Sequence, residues 1–252
     1  MLALSESMFD MAEASRPAGG AALAVPFLAE AAWPQAAPQM VPRDHALYAE
    51  GDSARSWYRL LSGSVRVFRV LRDGRRHIGE FVFPGQFFGF EPGPEHIQRA
   101  EAIEAASVAV YSCERIERRV AEDSATREAV RNLLLERLAA AQERIMNLGR
   151  LDARGRLAAF LLAMAQRKCK SNPSGLVAEL PMSRIDVADY LGLTVETVSR
   201  LFTALRCAGA IRLPTANRVE ILDAAALDAA SGGTVDTAAR DSGGEAELRR
   251  CA

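Results

Sequence analysis

Residues 182–205 constrain this chain more than any other stretch: two short helical patterns stand either side of Gly192-Leu193-Thr194, a spacing that suits a tight helix-turn-helix. Ser183 followed by Asp186 marks the start of the first helix, because a side-chain oxygen there satisfies backbone N–H groups that have no helical acceptor. Gly192 supplies the left-handed residue of the turn. The second helix is expected from Val195 to about Ala208, closed by Gly209. Ile185, Ala188, Leu191, Leu193, Val198, Leu201 and Leu205 fall where crossed helices bury side chains, with the small Ala188 at their closest approach.

What is left over on the outer face of the second helix is chemically specific. Val195, Glu196, Ser199 and Arg200 cluster near its N-terminus, the end that a recognition helix presents to base edges in the major groove. An arginine can pair bidentately with guanine, a carboxylate can accept from a cytosine amino group, and an apolar side chain can touch a thymine methyl. Thr194, Thr197 and Ser183 are placed to hold phosphates, helped by the helix N-terminus. Two short alternating runs, Ile211-Arg212-Leu213-Pro214 and Arg218-Val219-Glu220-Ile221, are expected to pair as a hairpin wing. The formal charge of -1 gives no hint of a nucleic-acid ligand, so the local count matters more. Arg184, Arg200, Arg206, Arg212 and Arg218 all fall in this one region.

Upstream the texture differs. Between residues 45 and 111, Gly51, Gly63, Gly74 and Gly85 recur within polar turns, and Val65-Arg66-Val67-Phe68-Arg69-Val70 alternates as a half-buried strand does. Regular turns between short strands imply an antiparallel roll, closed by Val108-Ala109-Val110-Tyr111. From about residue 124 the period becomes helical. Leu134, Leu138, Ala141, Ile145 and Leu148 repeat at steps of four and three, the seam of a coiled coil. Such a stripe could pack on the roll of its own chain, but its narrowness and its flanking Arg137, Glu143 and Arg144 favour a second copy. Gly149 is expected to end this helix, and residues 149–155 to form a hinge before a helix carrying Leu157, Phe160, Leu161 and Met164.

The resulting expectation is an α+β chain. It has an Ala/Pro-rich segment over 1–42, a jelly-roll-like β-roll over 43–120 and a dimerisation helix over 121–150. A winged helix-turn-helix over 151–225 and a flexible tail over 226–252 complete it. Cys113, Cys169, Cys207 and Cys251 lie far apart and make neither a metal motif nor a disulfide framework, which suits a reducing cytoplasm. The apolar stretch 21–32 is interrupted by Pro26 and Glu30 and is too short for a membrane span, and with only Arg16 before it the charged n-region of a signal peptide is weak. No nucleophile–base pairing, metal cluster or phosphate loop is legible, so the chain does not read as an enzyme.

Taken together, these segments resemble the cyclic-AMP receptor/FNR superfamily of bacterial regulators over about residues 43–225. The run Tyr190-Leu191-Gly192-Leu193-Thr194-Val195-Glu196-Thr197-Val198-Ser199-Arg200-Leu201 is similar to the FNR and FixK branch. Val195 stands where cyclic-AMP receptors place an arginine. The resemblance implies a homodimeric activator that reads a TTGAT…ATCAA palindrome, controls microaerobic, anaerobic or nitrogen-fixation genes and contacts RNA polymerase through the roll, including its 89–96 loop.

It also implies what the roll does not bind. The nucleotide-binding pairs of cyclic-AMP receptors are replaced by Gly89-Phe90, His96-Ile97 and Ala141-Gln142. The cysteines that hold the FNR iron–sulfur cluster are missing before Cys113. No cofactor is therefore expected, which points to the FixK type and to effector-independent binding. The competing expectation is the same regulator gated by a small molecule, by haem (His77 being a candidate ligand) or by oxidation of Cys207 near the end of the reading helix.

Overall fold

The computed structural model describes residues 36–169 and 176–232. Expectations for 1–35, for the loop 170–175 and for 233–252, Cys251 included, lie outside the described residues.

The N-terminal unit is a roll of two four-stranded antiparallel sheets. Strands β1 (Pro38–Val41), β8 (Ala106–Ser112), β3 (Ser56–Ser62) and β6 (Phe87–Phe88) form one sheet, in the order β1-β8-β3-β6. Strands β2 (Ala46–Tyr48), β7 (Arg99–Ala102), β4 (Val65–Val70) and β5 (Arg76–Val82) form the other, in the order β2-β7-β4-β5. The four punctuating glycines, Gly51, Gly63, Gly74 and Gly85, all have positive φ. At Gly63 a side chain is excluded twice over, because a Cβ would lie 2.6 Å from the carbonyl oxygen of Ala105.

Period-two alternation feeds two separate cores from one sheet. Val108 and Phe88 face the roll interior with Leu60, Val65 and Val82. Their neighbours Ala109 and Phe87 face the other way, onto Tyr111, Ile116 and Leu133. In β4 both faces are covered, Val67 facing the roll interior and Phe68 the core shared with the C-terminal unit, with a register shift against β5 between them.

Helix α1 (Cys113–Glu122), unexpected within the roll segment, leads into the 27-residue α2 (Ser124–Arg150). Contrary to expectation, α2 runs through Gly149 and is capped by Leu151, whose N–H bonds to Asn147. Gly149 keeps a helical backbone, since it is not among the glycines with positive φ. Helix α3 (Ala153–Cys169) follows almost at once, with the Asp152 carboxylate accepting from the N–H of Gly155 at 2.7 Å.

The C-terminal unit contains β9 (Leu176–Glu179), α4 (Arg184–Leu191), α5 (Val195–Cys207), β10 (Ile211–Thr215), β11 (Arg218–Ile221) and α6 (Ala224–Ala230). The wing is a three-stranded sheet, β10-β11-β9, one strand more than the hairpin expected. Two boundaries also need correcting. Strand β1 pairs with β8 and so belongs to the roll, although it lies inside the segment 1–42. Helix α6 occupies the start of the expected tail and buries Leu227 completely. One apolar core joins both units, running from Phe68, Ile78 and Phe81 of the roll to Phe160, Leu191 and Phe202.

Candidate nucleic-acid interface

The first helix of the pair is capped as its sequence requires. Ser183 Oγ accepts from the N–H of Asp186, and the Asp186 carboxylate accepts from the N–H of Ser183 at 3.0 Å, a complete capping box. Gly192 closes α4 in the left-handed region at φ 67°. Thr194 then caps α5, its side chain accepting from the N–H of Thr197. Ala188, Leu191, Val198 and Leu205 are buried between the two helices, and Leu193 and Leu201 are half-buried. Ile185, expected inside, is exposed; Val187 and Phe202 take the interior places instead. The sequence pattern could not choose between Ile185 and Val187, because α4 is covered on two sides and offers no single apolar stripe.

On the outer face, Glu196, Ser199, Arg200 and Thr194 are exposed, while Thr197 and Val195 are half-buried and Val195 leans on the core. The Ser199 hydroxyl donates to the carbonyl of Val195 at 2.8 Å, so its oxygen presents lone pairs outward. The hydroxyls of Thr194 and Thr197 lie 3.0 Å apart and can share one proton between them. The carboxyl of Glu196 is held below the usual carboxylate range, first by its own backbone N–H, then by the Thr194 hydroxyl and the charge of Arg200. This surface therefore offers an ionised acceptor, a neutral acceptor and a guanidinium within two turns of a helix N-terminus. A major-groove edge can be read by that combination of groups.

The five arginines of the region do not share one role. Arg200, Arg206, Arg212 and Arg218 are exposed, although Arg212 Nε already pairs with Glu220 at 2.7 Å. Arg184 works inward. Its guanidinium lies 3.4 Å from the centroid of the Phe202 ring and donates to the carbonyl of Ala216, tying α4 to α5 and the wing.

The seam residues fall on one side of α2. Leu134, Leu138, Ala141 and Ile145 are exposed, and Leu148 is half-buried. The opposite side faces the chain itself: Leu133 is buried, Arg137 reaches the carbonyl of Phe87 and the carboxylate of Glu80, and Arg144 reaches the carbonyls of Ile78, Gly79 and Tyr190. Arg137 and Arg144 therefore point inward; they do not flank the seam. Their partners lie far off in the sequence, which gave no signal of them.

Between the roll, α2, α3 and α4 lies a cavity of about 580 Å³, lined among others by Tyr48, Glu80, Glu91, Glu136, Arg137 and Tyr190. Burial lowers the guanidinium of Arg137 to about 10, still charged at neutral pH. His96 is buried beneath Tyr48, with ring centroids 3.7 Å apart. His77 is half-buried on β5 beside Arg144 and Asp189, and burial pushes its pKa down. Cys207 is exposed at the last position of α5. Among the described residues no cluster of three potential ligands could hold a metal ion, and no helix is long and apolar enough to cross a membrane.

Known proteins share this arrangement. A family profile described as a Crp-like helix-turn-helix domain matches residues 155–230, and one described as a cyclic nucleotide-binding domain matches residues 38–123. The nitrogen fixation regulation protein FixK of Rhizobium meliloti is 40% identical over 181 residues, which cover 72% of this chain and 81% of that protein. FixK of Azorhizobium caulinodans is 37% identical over 191 residues, covering 75% and 77%. The solved structure of FixK2 from Bradyrhizobium japonicum superposes with a TM-score of 0.72 at 34% identity, covering 80% of this chain and all of that one. By its profiles, relatives and fold, the chain belongs to the cyclic-AMP receptor/FNR superfamily of DNA-binding transcription regulators, in its FixK branch.

Proposed function

We infer that the protein works in the cytoplasm as a homodimeric activator reading a TTGAT…ATCAA palindrome, without an effector. The exposed Glu196, Ser199 and Arg200 on α5 are the observation that carries this reading. Two chains would join along Leu134, Leu138, Ala141, Ile145 and Leu148 and present their reading helices about one DNA turn apart, ~34 Å. Thr194, Thr197, Ser183 and the N-terminus of α5 would hold phosphates, making affinity steeply salt-dependent. Val195 would face a thymine methyl. The target genes would be those of microaerobic, anaerobic or nitrogen-fixing metabolism, as the names of the FixK relatives suggest. RNA polymerase would meet the roll, where residues 92–95 form an exposed loop.

Effector independence is supported by the chemistry of the cavity. A cyclic phosphate would meet Glu80, Glu91 and Glu136, and the arginines of the lining are already engaged: Arg137 by Glu80, and Arg144 and Arg156 by backbone carbonyls. The competing reading, a regulator gated by a small molecule, haem or the thiol of Cys207, is favoured by the size of that cavity and by its reach from the roll to Tyr190 on α4. Purified, ligand-free protein titrated in air with a TTGAT-N4-ATCAA duplex separates the two. Tight and selective binding supports the effector-independent regulator. Weak binding that returns with reductant or a small molecule supports the gated one.

A further inference from the structure

The orientation of α5 is set through α4, and α4 is held from behind. One side of α4 gives Val187, Ala188 and Leu191 to the domain core. The side facing β5 carries Asp186, Asp189 and Tyr190. Arg76 of β5 forks across both carboxylates, with Nη2 2.6 Å from Asp186 and Nε 2.8 Å from Asp189. Arg66 of β4 adds a second cation 3.5 Å from Asp186. The Asp186 side chain is only 3% exposed, and the same carboxylate closes the capping box of α4.

A third arginine comes from the seam helix. Arg144 donates to the carbonyl of Ile78 at 2.7 Å and to that of Tyr190 at 3.1 Å, with its guanidinium 4.1 Å from the centre of the Tyr190 ring. Its neighbour in the chain is Ile145, exposed on the opposite side of α2. Roll, seam helix and reading domain thus meet at Arg76 and Arg144.

We propose that Arg76 and Arg144 are positioning residues that lock the helix-turn-helix to the roll and the seam helix, and so set which spacing between half-sites the dimer accepts. The second half of this statement rests on the palindrome reading above. The apolar core between the units, in which Phe81, Phe160 and Tyr190 meet, holds them together without choosing an angle, because hydrophobic contact is non-directional. A guanidinium forked across two carboxylates does choose one. Removing Arg76 also leaves the buried Asp186 with only the more distant Arg66, at 3.5 Å, which weakens the tie between the two units.

The test compares wild type, Arg76→Ala, Arg76→Lys and Asp189→Ala on duplexes whose half-sites are separated by N3, N4 or N5. The wild type should prefer one gap. Arg76→Ala should compress that preference roughly tenfold, and Arg76→Lys, which keeps the charge without the fork, should restore part of it. The double variant Arg76→Ala/Asp189→Ala should be no worse than Arg76→Ala alone. A separate readout needs no DNA: hydrogen exchange of the full chain should rise together over 76–82 and 184–191 in Arg76→Ala. Equal loss of affinity at every gap, or an unchanged exchange pattern, overturns the proposal. Failure of the wild type to bind any palindrome would sink the functional reading, while the exchange experiment still judges the lock.

Discussion

Two helices of this chain present stripes to solvent, and the stripes are chemical opposites. On α2 the exposed side chains are apolar: Leu134, Leu138 and Ile145 are 45%, 56% and 68% exposed. On α5 they are Glu196, Ser199 and Arg200. Large apolar side chains in a row at heptad spacing are stabilised by a second apolar stripe, gaining ~25 cal/mol for each Å² removed from water. A carboxylate, a hydroxyl and a guanidinium gain little from such a surface and much from a ligand with fixed donors and acceptors. Under the proposed function each stripe would take a different class of partner, a second copy of the chain for α2 and a groove edge for α5. Helix α4 stands between them as the control, since its acidic residues Asp186 and Asp189 are answered within the chain.

The largest expected effect comes from erasing the apolar stripe. Ile145→Glu would set two carboxylates against each other across the seam and yield monomers. Each monomer would read a single half-site, so palindrome affinity should fall by roughly 100-fold or more. Sedimentation measures the first effect and DNA titration the second. An intact dimer would show that the α2 stripe serves some other contact.

Much of this contrast could be read in the sequence, and the reason is local. The cap at Ser183, the left-handed Gly192, the heptad spacing in α2 and the outward Glu196, Ser199 and Arg200 depend on residues within a turn or two of each other. What residue identity does not encode is long-range. Arg76 and Asp186 are 110 positions apart, so Asp186 could be read only as a cap. Arg137 and Arg144 looked like solvated flanks because their acceptors are mostly backbone carbonyls, which leave no trace in residue identity. Helix α6 was masked by its composition, since an Ala-rich run beside Ser231-Gly232-Gly233 reads as a tail until Leu227 is seen to be buried.

Within the polar stripe, Arg200→Ala should have the largest effect, ~1–3 kcal/mol at a half-site, with discrimination relaxed at a single base pair. Competition titrations against duplexes changed one base pair at a time would locate it. Undiminished discrimination would mean that the outward register of α5 has been misassigned. Ser199→Ala should be milder, ~0.5–1.5 kcal/mol per half-site, because it removes one neutral acceptor. The same variant also frees the carbonyl of Val195, which water can satisfy on this exposed face. The same titrations would show whether the loss stays confined to one position; a uniform loss over all sequences would recast Ser199 as a phosphate contact.

The smallest expected effect is a null with a definite sign behind it. The Glu196 carboxyl is depressed by its own backbone N–H, by the Thr194 hydroxyl and by Arg200. A depressed carboxylate contributes stability that is fully present above its unfolded value and is lost only as pH falls through the lowered, folded value. Glu196 therefore stays ionised from pH 8 down to about 5, above the ordinary glutamate range. Selectivity at the base pair it would read should be flat over that interval. Glu196→Gln should show reduced selectivity at that base pair, equally flat with pH. The quantity to measure is the ratio of affinities for matched and mismatched duplexes, at each pH. A wild-type ratio that falls by pH 6 would mean that DNA binding desolvates the carboxyl enough to reverse its shift, and the polar stripe would then be buried in the complex more deeply than its exposure in the free chain suggests.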